Sequence, residues 1–60
     1  MKKYIMGITA FHHDSSVALI DYSGVLINAS KEESFTGILG DSSWPQHAIE
    51  WAIKDAKSRG

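Results

Sequence analysis

Sixty residues with a net charge of −1 and no cysteine make one domain at most, without disulfides, thiolate metal ligands or a basic surface for nucleic acid or membrane. A chain this short buries only about 60% of its unfolded surface, so its stability is marginal. A hydrophobic fraction of 43% still calls for a folded chain rather than a disordered one.

Met1-Lys2-Lys3 and the apolar run after it have the outline of a secretion signal, but Gly7 and Thr9 interrupt that run and no small-residue cleavage site follows. No segment approaches the ~20 apolar residues of a membrane span. A cytoplasmic location is expected.

Residues 4–9 read as a strand, within outer limits of about 3–10, that is apolar on both faces: Tyr4, Met6 and Ile8 on one, Ile5 and Gly7 on the other. Residues 16–21 give a second strand, with Val17 and Leu19 opposed to Ala18 and Ile20. Asp21-Tyr22-Ser23-Gly24 is a turn signal, and residues 25–30 a third strand. On that strand Val25, Ile27 and Ala29 form the apolar face, and Asn28 and Ser30 the wetter one. Short connections make the three strands an antiparallel meander.

Residues 31–43 read as a long loop whose apolar members Phe35, Ile38 and Leu39 pin it to the body or to something else. Gly37 and Gly40 lack the spacing of a phosphate loop or a dinucleotide fingerprint. A helix over about 44–58 follows. Ser43 is its expected N-cap, Pro45 lies in the first turn and Gln46 completes a capping box. Ala48, Ile49, Ala52, Ile53 and Ala56 share one face, Glu50 and Lys54 pair across a turn, and Gly60 marks the stop. Trp44 and Trp51 read as core cover, with Trp51 toward one edge of the stripe. The expected class is α+β, a β-β-β-α arrangement with the helix packed on a three-stranded sheet. The first strand wants two neighbours but has one, which points to the opening piece of a larger domain or to pairing with another chain.

The chemistry concentrates in Phe11-His12-His13-Asp14-Ser15-Ser16, where a tight hairpin would carry Asn-Gly or Asp-Gly. Three roles stay open beside a plain polar turn. One imidazole acts as a general base with the carboxylate fixing its tautomer. Or His12, His13 and Asp14 contribute to a metal site, although adjacent residues chelate one ion poorly. Or Ser15, Ser16 and the backbone bind phosphate. The antiparallel pairing of strands two and three places His13 and Asp14 at the same end of the sheet as Glu32 and Glu33. By itself the run Lys31-Glu32-Glu33 reads as a solvated strand end, and His47 as a surface histidine.

The stretch from Ile5 to Ile20 resembles the N-terminal opening of the nodulation- and antibiotic-type O-carbamoyltransferases. Glu32-Glu33-Ser34-Phe35-Thr36 resembles that family's Glu-Glu-Arg-Phe-Thr, and Asp41-Ser42-Ser43-Trp44-Pro45 followed by Ala48-Ile49 resembles the segment leading into its first helix. The resemblance implies the opening part of a ribonuclease-H-like, actin-like ATPase domain. It implies an enzyme several times longer that activates carbamoyl phosphate with ATP as a carbamoyl-adenylate and passes the carbamoyl group to an acceptor hydroxyl. His13 would be the general base or the carbamoyl-contacting group, oriented by Asp14. His12, Ser15, Ser16, Glu32 and Glu33 would line the substrate and nucleotide side. ATP and a divalent metal belong to the full-length family; its metal-binding histidines have no counterpart here, no metal ligand is assigned, and neither group is expected to bind tightly to these sixty residues alone. Ser34, Leu39 and Gly40 stand where the family carries cationic or imidazole side chains. An isolated segment is expected to be inactive. The competing expectation is a non-enzymatic module pairing through its first strand, by self-association or with the rest of a parent chain.

Overall fold

The computed structural model describes residues 3–59. Three strands, β1 (Tyr4–Thr9), β2 (Ser16–Asp21) and β3 (Leu26–Lys31), form an antiparallel sheet in the order β1-β2-β3. A single turn of helix, α1 (Glu33–Thr36), follows β3, and α2 (Gln46–Ser58) packs across the sheet. The expected β-β-β-α arrangement holds, with α1 added inside the segment read as loop. The expected signals of Met1, Lys2 and Gly60 lie outside the described residues.

Alternation along β2 sets the two faces. Val17 and Leu19 point to α2 and are buried, and the core proper is Val17 with Ala48 and Ala52, flanked by Met6 and Ile49. Ala48 and Ala52 are both 0% exposed. Small residues on the helix let it lie close to the strands, as ridge-and-groove packing requires. Ile53 belongs to the same sequence stripe but is largely exposed, so the buried face is narrower than the periodicity predicts.

The turn between β2 and β3 forms as expected. Asp21 Oδ1 accepts from the Ser23 amide at 2.9 Å, the Ser23 hydroxyl at 2.6 Å and the Val25 amide at 3.0 Å, and Gly24 takes φ +89°. These bonds, led by the Ser23 hydroxyl, hold the Asp21 carboxyl below its usual range.

The faces of β3 are reversed from the sequence reading. Asn28 is buried, and its Nδ2 donates to the Ala52 carbonyl at 3.2 Å and to Asp55 Oδ2 at 2.9 Å. Ala29 is exposed on the opposite face, level with Ala18 and Gly7. A register shift at Leu19/Ile20 sets this phase. An amide that bonds a helix carbonyl and a helix carboxylate sits inside without an apolar side chain, a pairing hydropathy alone does not show.

β1 stays at the sheet edge, with Ile5 and Ile8 exposed. The second face of the sheet, carrying Ile5, Ile20 and Leu26 in one row, has no covering layer among the described residues. On α2 the ion pair is Asp55–Arg59 at 2.7 Å, not the expected Glu50–Lys54; Glu50 instead accepts from Gln46 Nε2 at 3.5 Å.

Candidate functional site

One end of the sheet gathers three segments: the loop before β2, the end of β3, and the chain leading into α2. Backbone bonds fix them together. The Phe11 amide donates to the Ser42 carbonyl at 2.6 Å, the Ser15 amide to the Asp41 carbonyl at 2.7 Å, and the Glu32 amide to the Ser15 carbonyl at 2.9 Å. The Ser15 side chain is fully buried and its hydroxyl donates to the Ser43 carbonyl. Phe11 adopts φ +67°, an uncommon conformation for an aromatic residue, and its ring stacks on Trp44 at 6.2 Å.

Asp41 organises the approach to α2. Its Oδ1 accepts from the Ser43 hydroxyl at 2.6 Å and the Ser43 amide at 2.9 Å, and its Oδ2 from Thr36 Oγ1 at 2.8 Å. The Ser43 hydroxyl is the main reason its carboxyl lies below the usual range. This buried polar hub fastens the segment, while Ile38 and Leu39 are exposed, Leu39 at 90%. Ile38 and Leu39 therefore do not pin the segment to this body, which is the alternative of the expected apolar pinning that the structure corrects. The Phe35 ring lies with its centroid 6.2 Å from that of Trp51, and neither tryptophan is buried.

Glu32 is the largest departure from the sequence reading. It is no solvated strand end: it is 1% exposed, and its carboxylate sits at the N-terminus of α2. Oε1 accepts from the Ala48 amide at 2.9 Å, and Oε2 from the His47 amide at 3.3 Å and lies 2.6 Å from His47 Nδ1. The expected capping box does not form. Pro45 occupies the N-cap position without a side-chain bond, and Ser43 is spent on Asp41. The first four amides of α2 are all satisfied, because Gln46 donates to the Trp44 carbonyl at 2.8 Å and Ile49 to the Pro45 carbonyl at 2.9 Å. A carboxylate at a helix N-terminus also meets the favourable end of the macrodipole.

Burial by itself would push the Glu32 carboxyl up. The bonds from the His47 ring and from the Ala48 and His47 amides outweigh it and hold the carboxyl below its ordinary value. The same contact raises His47, chiefly through the hydrogen bond to Glu32.

The other predicted site residues are placed as follows. His12 and His13 are exposed, with their rings edge to face at 4.1 Å. Asp14 lies 3.6 Å from Lys31 Nζ and makes no hydrogen bond to either imidazole among the described residues. Gly40 passes close beneath it, so that a Cβ there would stand 3.2 Å from Asp14 Oδ1. Glu33 Oε1 accepts from the Gly40 amide at 3.3 Å, and Ser16 pairs with Lys31 in the sheet. The structure thus brings His13, Asp14, Ser16 and Glu33 to one end, and turns Ser15 and Glu32 inward. Lys31 and His47 belong to this end, although from sequence they read as part of a solvated strand end and as a surface histidine. Lys31 follows from the strand register alone, but nothing local marks His47 except the lack of any acid in the first turn of α2. Among the described residues no three His, Cys, Asp or Glu side chains stand where they would hold one metal ion. No helix among them is long and apolar enough to cross a membrane.

Comparison with known families decides the wider assignment. Residues 4–58 match the family described as carbamoyltransferase N-terminus. The chain belongs to that family. An uncharacterized protein of Synechocystis, sll1178, is 40% identical over 53 residues, which is 88% of this chain and 8% of that protein. The chain thus spans less than a tenth of the length of the curated relative it matches. No solved structure matches. His13, Asp14 and Lys31 stand on one rim at this end of the sheet, while Glu32 and Asp41 fasten the segments behind it.

Proposed function

We propose that the chain forms one wall of a carbamoyl-transfer site, as the first part of a longer, actin-like carbamoyltransferase of the cytoplasm. The family match over residues 4–58 is the observation that carries this reading. In it, carbamoyl phosphate and ATP are substrates joined as a carbamoyl-adenylate, and the carbamoyl group ends on an acceptor hydroxyl. His13 contacts the carbamoyl group or serves as base. Lys31, an exposed cation beside Asp14, offers charge for a phosphate where the family's cations are replaced by Ser34, Leu39 and Gly40. The unpaired edge of β1 and the uncovered second face of the sheet are where the rest of the domain joins. His12 and Ser16 lie on the same rim and face the substrates, whereas Ser15 and Glu32 support the wall from behind.

The chain alone holds no second wall, so it is expected to release no phosphate from carbamoyl phosphate and ATP. In a longer protein carrying this segment, His13→Asn is expected to lower carbamoyl transfer by about 10²–10³-fold, the usual cost of losing one group that holds the reacting carbonyl or moves its proton. Turnover by the sixty residues alone, or full transfer by the His13→Asn protein, contradicts the reading.

A further inference from the structure

Two histidines of this end are adjacent and exposed, and a third is held differently. The His47 imidazole is fixed at one nitrogen by a buried carboxylate while its side chain remains 57% exposed. Glu32 cannot turn away, because its other contacts are the amides that begin α2. An ionised carboxylate accepts only, so Nδ1 of His47 carries a proton in both charge states of the ring. Nε2, on the far side of the ring, is then the nitrogen that gains and loses a proton. A buried carboxylate, an oriented imidazole and an outward Nε2 are the parts of a general base.

The position suits that role. The Glu32 amide bonds the Ser15 carbonyl, two residues from His13, so the backbone that carries the carboxylate is joined to the same end of the sheet. The groups whose charge acts on His47 are Glu32 from the end of β3, Asp41 from the preceding loop and Glu50 from α2 itself. All are acidic, and all strengthen the imidazole as a base.

We infer that Glu32 and His47 form a proton-transfer dyad, with His47 Nε2 taking the proton of an acceptor hydroxyl and Glu32 acting as its positioning residue. The acceptor's identity rests on the carbamoyl-transfer reading; the dyad does not. In the transfer step the hydroxyl O–H bond breaks and its proton goes to Nε2. The oxygen's electron pair forms the bond to the carbamoyl carbon, and the bond from that carbon to the adenylate oxygen breaks, its pair leaving with the nucleotide. His13 is then left to hold the carbamoyl group.

The test reads the imidazole tautomers of the 15N-labelled chain by long-range proton–nitrogen correlation, above the titration of each ring. His47 is expected as the Nδ1–H tautomer, with His12 and His13 mainly Nε2–H. In Glu32→Gln the amide donates to Nδ1, and His47 is expected to switch to Nε2–H. Acylation by diethylpyrocarbonate, mapped by mass spectrometry, should then slow at least about tenfold at His47, since Nε2 has lost its lone pair, and stay unchanged at His12 and His13. A native His47 in the Nε2–H form overturns the dyad even if Glu32→Gln does not fold, and so does unchanged His47 acylation in a folded Glu32→Gln chain. If carbamoyl phosphate binds nowhere on the rim but the tautomer and acylation results hold, the carbamoyl reading falls and the dyad stands.

Discussion

Glu32→Ala is expected to unfold most of the chain at room temperature. The substitution removes one carboxylate and strands the Ala48 amide, the His47 amide and the His47 ring at once. A buried charge-assisted set of this kind is worth about 3 kcal/mol, and the stability of a sixty-residue domain is itself only a few kcal/mol. Glu32→Gln keeps one oxygen for the Ala48 amide and should cost about half as much. Thermal unfolding followed by circular dichroism distinguishes the two. The native chain should also show a stability maximum set by this pair. The carboxyl of Glu32 lies below its ordinary value of 4.5, so its contribution is complete above that pH and is lost as pH falls through the depressed value. His47 lies above its ordinary 6.5, so its contribution is complete below that pH and is lost as pH rises through the raised value. The maximum therefore lies between about 4.5 and 6.5, and Glu32→Gln flattens both limbs. A Glu32→Ala chain as stable as the native one would show that the frame of the site lies elsewhere.

Ala52→Leu is expected to destabilise by about 2 kcal/mol, the usual cost of overpacking a closed contact. Helix propensity barely separates Leu from Ala, and apolar burial alone would favour the larger side chain. The structure opposes it, because Ala52 is 0% exposed, belongs to the buried cluster with Val17 and Ala48, and accepts the Asn28 amide on its own carbonyl. Lifting α2 to admit the extra carbons breaks that bond and loosens the Asn28–Asp55 contact beside it. The midpoint of thermal unfolding should fall by about 10 °C. Ile53→Ala, in the same sequence stripe but exposed, should change stability by less than about 1 kcal/mol. Equal effects at the two positions would mean that the helix packs on the face the periodicity predicts and not on the one described.

Much of the fold was legible because it rests on local periodicity. Alternation along residues 16–21, the Asp21–Gly24 turn and the spacing of Ala48, Ala52 and Ala56 each report one physical fact, and all survive. What was not legible involves partners distant in sequence. Nothing around Glu32 signals burial, since what makes burial tolerable is a pair of amides and an imidazole fifteen and sixteen residues later. Asn28 reads as wet until its two acceptors on α2 are known. Ser43 has the chemistry of an N-cap, but Asp41 claims its hydroxyl first. Pro45 at the helix boundary carries no capping group, so another part of the chain had to supply one. The candidate site was legible in outline for the same reason as the sheet. Antiparallel pairing alone brings the His13-Asp14 loop to the end of β3, and the Ser15–Glu32 backbone bond realises it. The division of labour within it was not, because Glu32 carries the same carboxylate as Asp14, Ser15 the same hydroxyl as Ser16, and only burial separates the members of each pair.

The most direct test of the carbamoyl-site assignment is a titration of the 15N-labelled chain with carbamoyl phosphate, watching every backbone amide. The predicted result is weak, saturable binding with shifts confined to residues 11–16, Lys31, the 40–43 segment and His47, reduced in His13→Asn and absent with sulfate at the same ionic strength. Shifts spread over the charged surface of α2, or identical responses to sulfate, would contradict a carbamoyl site on this wall.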